Sequence, residues 1–196
     1  MTTNPLLSVA AALTLAALLA CGGGSSAPAP APTATATSLA YADPTTGAFK
    51  LVKNASSSGS HLILDLLGPS SGTAMGAAIA LSADTTKVAW VDIPAGGTTA
   101  SLMKNGTQFD PGSGLPIQRA KATGNGLQAA VAQKNPTPPA SLNGTLLQVA
   151  LDLKSGLGLT PGTVITLSAD GTKCQVLDGT GSLSPISVTV GTLTAQ

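Results

Sequence analysis

The chain has 196 residues and a formal net charge of +1, from 9 Lys+Arg against 8 acids, every one of them Asp. Charged residues are only 9% of it, so there is no broad basic surface to displace counterions from a phosphate backbone, which argues against nucleic-acid binding. One His and two Cys are too few for a Cys/His zinc site or a disulfide framework, and the lack of Glu argues against long helical bundles.

The first element reads as an address. Leu6 to Ala20 carries no charge. It is too short for a comfortable transmembrane helix, which needs about 20 residues, and it suits the apolar core of a secretory signal, predicting a signal helix within residues 1–20. Only the terminal amine supplies positive charge before it, since Met1 to Pro5 holds no Lys or Arg. The segment ends in Leu18-Leu19-Ala20-Cys21. That tetrapeptide resembles the bacterial lipobox, and the resemblance implies cleavage before Cys21 and lipidation of it, a stable anchor when two or three acyl chains are attached. Gly22 follows rather than Asp, which by the same resemblance implies the outer membrane. An ordinary signal peptide would instead leave Cys21 as a plain residue, able to pair with Cys174.

Residues 21–38 continue as a Gly/Ser then Ala-Pro tract without charge or large apolar side chains. Such a tract cannot bury a core and reads as a disordered, partly extended linker. Residues 39–196 have the length of one domain. No internal repeat is found in it.

Within that domain the apolar period is two. Thr145 to Leu153 places Leu147, Val149, Leu151 and Leu153 on one face and Leu146, Gln148, Ala150 and Asp152 on the other. His61 to Leu67, Gly126 to Gln133 and Ile186 to Val190 alternate in the same way. Met75 to Leu81 sets Met75, Ile79 and Leu81 against Gly76, Ala78 and Ala80. Turn pairs separate these runs, among them Asn105-Gly106, Asn143-Gly144, Pro161-Gly162, Asp170-Gly171 and Asp178-Gly179. The spacing predicts an all-β sandwich of about nine to eleven strands.

The order of these segments resembles a cohesin-like domain, a jelly-roll β-sandwich related in fold to carbohydrate-binding modules, from about Phe49 to Leu193. The resemblance rests on Gly76 to Ile93, Ser101 to Phe109, Asn143 to Gly156, and most specifically on the closing run Thr160 to Ala195 with its Val-Gly-Thr-Leu end. It implies a non-enzymatic binding module that holds a protein partner through one flat sheet face, and it transfers no contact residue.

Candidate chemistry elsewhere is sparse. Gly68-Pro69-Ser70-Ser71-Gly72 satisfies the G-x-S-x-G pattern, but a hydrolase needs a His after it and His61 precedes it. His61 is expected to face solvent at the start of its strand. Asp170 and Asp178, each before a Gly, read as turn formers rather than calcium ligands, so neither cofactor nor metal is expected. Asn54, Asn105 and Asn143 head formal glycosylation sequons and read as turns. Cys174 is expected as a buried free thiol behaving as a small hydrophobe. Two functions follow: a lipid-anchored scaffolding module of the cell envelope with an unknown protein partner, or a polysaccharide-binding module. Trp90 and Tyr41 are the only aromatics able to stack on sugar, and Trp90 is expected in the core.

Overall fold

Side chains that alternate between aliphatic and small or polar dictate extended backbone with one buried face, and the computed structural model shows little else. It describes residues 33–93, 101–109, 117–134 and 138–196. The predicted signal helix and Cys21 lie outside the described residues.

Seventeen strands follow one another: β1 (Leu39–Ala42), β2 (Phe49–Lys53), β3 (His61–Leu67), β4 (Thr73–Ala74), β5 (Gly76–Ala83), β6 (Val88–Val91), β7 (Met103–Asn105), β8 (Gln118–Thr123), β9 (Gly126–Ala132), β10 (Ala140–Ser141), β11 (Thr145–Leu153), β12 (Val164–Ile165), β13 (Leu167–Ala169), β14 (Gln175–Leu177), β15 (Leu183–Pro185), β16 (Val188–Thr189) and β17 (Thr192–Ala195). The number exceeds nine to eleven because several are two- or three-residue pieces. Met75 alone parts β4 from β5, and Thr166 alone parts β12 from β13. The run Ile186 to Val190 keeps only Val188 and Thr189 as strand, in a short parallel pairing with β2.

Two six-stranded sheets form the sandwich. The first runs β16-β2-β3-β11-β6, with β7 also on β11; the second runs β15-β14-β5-β9-β8, with β13 also on β5. A three-stranded sheet, β1-β17-β12, and the β4/β10 pair complete it. Between the sheets, Leu62, Leu64, Leu66, Leu147, Val149 and Leu151 meet Ile79, Leu81, Leu127, Ala129 and Val131, all buried. Each such aliphatic side chain removed from water contributes about 1.5–3 kcal/mol.

The predicted faces hold along β3 and β9, with slips elsewhere. Met75, expected inside, is only half-buried while Ala74 beside it is fully buried, and Ala150, expected outside, is fully buried where β11 lies between β3 and β6. Leu146, expected outside, is fully buried beside Leu147, because β11 bulges between Thr145 and Leu147 where it meets β3. A bulge sets two residues against one and turns the second side chain inward. Gly106 lies against this bulge, where an added Cβ would stand 2.0 Å from the Thr145 carbonyl oxygen.

The end of the predicted linker belongs to the folded body. Ala36 is buried and its N–H donates to the Leu159 carbonyl at 2.7 Å. The amides of Thr37 and Ser38 both donate to the Gln196 carbonyl, at 2.7 and 2.6 Å. These backbone bonds zip the segment onto the far end of the chain, which a composition argument does not register. Tyr41 locks the same corner: its hydroxyl donates to the Leu51 carbonyl at 3.0 Å and accepts from the Gly191 amide at 2.6 Å. Gly191 is required there, since a Cβ would meet the Ala42 carbonyl oxygen at 2.0 Å.

Candidate functional site

The outer face of the second sheet is floored by residues almost without side chains. On β5 the inward positions are Ala77, Ile79, Leu81 and Ala83, which leaves Gly76, Ala78, Ala80 and Ser82 facing out. On β9 the outward set is Gln128, Ala130 and Ala132. Strand register then stacks the face in rows. Leu183, Leu177, Gly76 and Ala132 lie side by side, and the backbone bond from Ala132 to Ile117 extends that row past β8. The next row is Pro185, Gln175, Ala78, Ala130 and Arg119. Ala80, Gln128 and Lys121 follow, then Ser168, Ser82, Gly126 and Thr123.

Small floor residues between longer flanking ones make a trough. Its apolar end is a depression of about 340 Å³ lined by Gly76, Ala78, Ile117, Ala132, Leu177 and Leu183, among others. Ile117 and Leu183, 47% and 61% exposed, are two of the four large apolar side chains on the described surface that remain open to water. Its middle, about 540 Å³, is flanked by Arg119, Lys121, Thr172, Lys173 and Gln175.

Electrostatics divide the trough. Lys173 pairs with Asp170 at 2.8 Å, and this bond, with the Thr172 hydroxyl, holds the Asp170 carboxyl down at about 2. Arg119 and Lys121 make no salt bridge among the described residues. The turns at the ends of the strands are self-contained. Asp178 accepts from the Thr180 hydroxyl at 2.7 Å and from the Thr180 and Ser182 amides, which lowers its pKa.

The trough's long side contains a repeat that the sequence reading missed. Leu81-Ser82-Ala83-Asp84-Thr85-Thr86-Lys87 recurs as Leu167-Ser168-Ala169-Asp170-Gly171-Thr172-Lys173. The copies pair antiparallel with Ser82 opposite Ser168, so they are related by a local two-fold. The bonds repeat with them. Asp84 N–H donates to the Thr166 carbonyl at 2.9 Å, as Asp170 N–H donates to that of Ala80 at 2.8 Å. Each Asp also caps its own turn: Asp84 binds Thr86 and Lys87 as Asp170 binds Thr172 and Lys173, and its pKa is likewise held at about 2, chiefly by the lysine. Val88 and Cys174 fill equivalent buried positions after the two turns. The signal was present in the sequence, but a seven-residue match 86 positions apart lies beyond the 20–50-residue periods that mark repeat architectures.

The other sequence candidates are dispersed. His61 stands on the outer face at the start of β3, opposite Leu62 as expected, and is 30% exposed; there its Nδ1 donates to Asp152 Oδ1, its cross-strand neighbour, at 2.5 Å. Ser70 lies past the opposite end of β3, roughly 20 Å of strand away from His61, so the G-x-S-x-G loop has no base beside it. Gly68 of that loop packs on backbone: an added Cβ would meet the Leu142 carbonyl oxygen at 2.2 Å. Asn54 closes a turn onto the Ser56 amide and donates to Asp65. Asn143 lies in a turn, whereas Asn105 ends β7 and donates to the Phe109 carbonyl. Cys174 is buried and free, its pKa raised by burial. Tyr41 is buried as well, which pushes its pKa up to about 12. Trp90 packs partly against the core and donates Nε1–H to the Asn125 carbonyl at 3.1 Å. No three His, Cys or Asp side chains converge as a metal site among the described residues.

No protein-family model and no curated protein matches the chain. Solved structures do. The sixth cohesin of scaffoldin B from Acetivibrio cellulolyticus, in complex with a mutant dockerin, aligns at 18% identity with a TM-score of 0.55, covering 76% of this chain and 97% of that one. A type II cohesin domain from the cellulosome of the same organism aligns at 15% identity with a TM-score of 0.51, covering 76% and 94%. The class this defines is one of fold: an all-β, cohesin-like jelly-roll sandwich.

Proposed function

We propose that this chain is a lipid-anchored, non-enzymatic scaffolding module of the bacterial cell envelope that holds a protein partner in the trough of its second sheet. The observation that carries the reading is the floor of Gly76, Ala78, Ala80, Ala130 and Ala132 between flanking walls. A floor without side chains lets another backbone approach closely, and the water-exposed Ile117 and Leu183 at one end supply apolar area for contact. The cohesin fold supports it, since the scaffoldin cohesin described above was solved with a dockerin bound. The anchor rests on the lipobox-like run ending in Cys21, and the envelope location, outer membrane, on the same run with Gly22.

The polysaccharide reading draws less support. Tyr41, Phe49 and Phe109 are buried and Trp90 is half-buried, so no row of open aromatic faces is available for stacking on sugar among the described residues. The test has two arms. Cys21→Ser should release the chain from sedimented membranes; unchanged sedimentation rejects the anchor. Filling the trough with Ala78→Arg and Ala130→Arg should abolish capture of specific proteins from envelope extracts; capture equal to that of the wild type rejects the docking face.

A further inference from the structure

The trough is apolar at one end and cationic at the other, and that polarity specifies what can lie in it. Ile117, Arg119 and Lys121 occupy alternate positions at the β8 edge, so they project on one side about 7 Å apart, two strand rises each. Arg119 is the only arginine of the chain. The charges facing it and Lys121 from the neighbouring strands can be enumerated. β9 and β5 contribute Gln128, Ala130, Ala78 and Ala80, none ionisable. Across the floor stands Lys173, already neutralised by Asp170. Asp65 and Asp152 belong to the other sheet, Asp92 follows β6 of that same sheet, Asp43 accepts from the Lys53 amide, Asp84 is bound to Lys87, and Asp178 caps its own turn. Two cations therefore stand together with no described carboxylate turned towards them, one strand-repeat from an exposed isoleucine.

We propose that the protein segment docking in the trough is acidic and apolar together: one large aliphatic or aromatic side chain over the Ile117–Leu183 end, and carboxylates over Arg119 and Lys121. The proposal rests on the protein-docking reading above and adds the partner's chemistry. In an extended segment lying along β8 the pattern is an apolar residue with Asp or Glu two and four positions after it when the segment runs parallel to β8, or two and four positions before it when antiparallel, since alternate residues share a face. Charge complementarity of this kind selects the partner and speeds its arrival, and it weakens with salt.

The test pans a random linear peptide display library on the immobilised full chain carrying Cys21→Ser. Selected peptides should be enriched in paired acids beside an apolar residue. A synthetic copy should bind at least about tenfold more weakly to R119E/K121E, and more weakly as NaCl rises to about 500 mM. R119Q/K121Q serves as a second variant if charge reversal disturbs folding. A peptide with lysines in place of its acids should recover binding to R119E/K121E, and one with serine in place of its apolar residue should lose it. Peptides without acid enrichment, or unmoved by R119E/K121E and R119Q/K121Q yet lost on A78R/A130R, overturn the acidic partner and leave the docking face standing. An acid-only peptide binding as well as the parent overturns the composite pattern. Binding that none of these variants changes, or a library that yields no binder, overturns both.

Discussion

The two sheets present opposite outer faces. On the first, polar side chains bond to one another: His61 to Asp152, and Asp65 to both Gln148, at 2.7 Å, and Asn54, at 2.9 and 3.0 Å. On the second, the outward positions are Gly, Ala and Ser along β5, and the cations at its edge, Arg119 and Lys121, have no described acid. A face whose polar groups satisfy each other needs nothing further. A face that leaves apolar area and charge open to water is the one a second molecule can improve.

The largest effect should fall beneath the trough rather than in it. Ile79→Ala removes a fully buried side chain from β5 and should cost about 2–5 kcal/mol in denaturant unfolding, while Ala78→Arg, one residue earlier and facing out, should stay within about 0.5 kcal/mol. An equal loss from both would erase the distinction between the core and the trough floor above it.

On the networked face, Asp65→Ala strands Asn54 and Gln148 and should cost about 1–3 kcal/mol, against a negligible change for Arg119→Ala. Comparable losses would show that the second face is as internally satisfied as the first. Cys174→Val should be tolerated within about 1.5 kcal/mol, because Val88 fills the equivalent place after the duplicate turn. A larger loss would mean that the thiol's contacts with Ala80, 3.4 Å to its nitrogen and 3.7 Å to its oxygen, matter more than its volume.

Proton linkage should give a small effect at each extreme. Asp84 and Asp170 have pKa values lowered to about 2, so their contribution is complete above the ordinary carboxylate range and fades as pH falls from about 4 towards 2. Tyr41 is raised to about 12, so its contribution is complete below pH 10 and is lost as pH climbs through 12. Unfolding midpoints followed across pH should decline at both ends, and Tyr41→Phe should flatten the alkaline decline.

Much of the fold was legible because one period governs it. His61 to Leu67 and Thr145 to Leu153 are strands with the bounds that alternation assigns them. What failed to show were features set by tertiary pairing. Leu146 is inside because of a bulge against β3. Ala36 to Ser38 are docked because Leu159 and Gln196 offer carbonyls from more than 100 residues away. The trough was half visible: Gly76, Ala78 and Ala80 share a predicted face, but only register brings Arg119 and Lys121 beside them. Glycines and alanines carry no chemical signature of their own, so their value as a floor emerges only when the neighbouring strands are placed.

The most direct test is a cysteine footprint in a Cys21→Ser, Cys174→Val background. Single cysteines at Ala78 and Ala130 on the trough, and at Ile63 and Val52 on the other sheet, would be labelled with a maleimide with and without envelope extract. The account predicts that the extract slows labelling at Ala78→Cys and Ala130→Cys and leaves Ile63→Cys and Val52→Cys unchanged. Protection confined to the latter pair would contradict it.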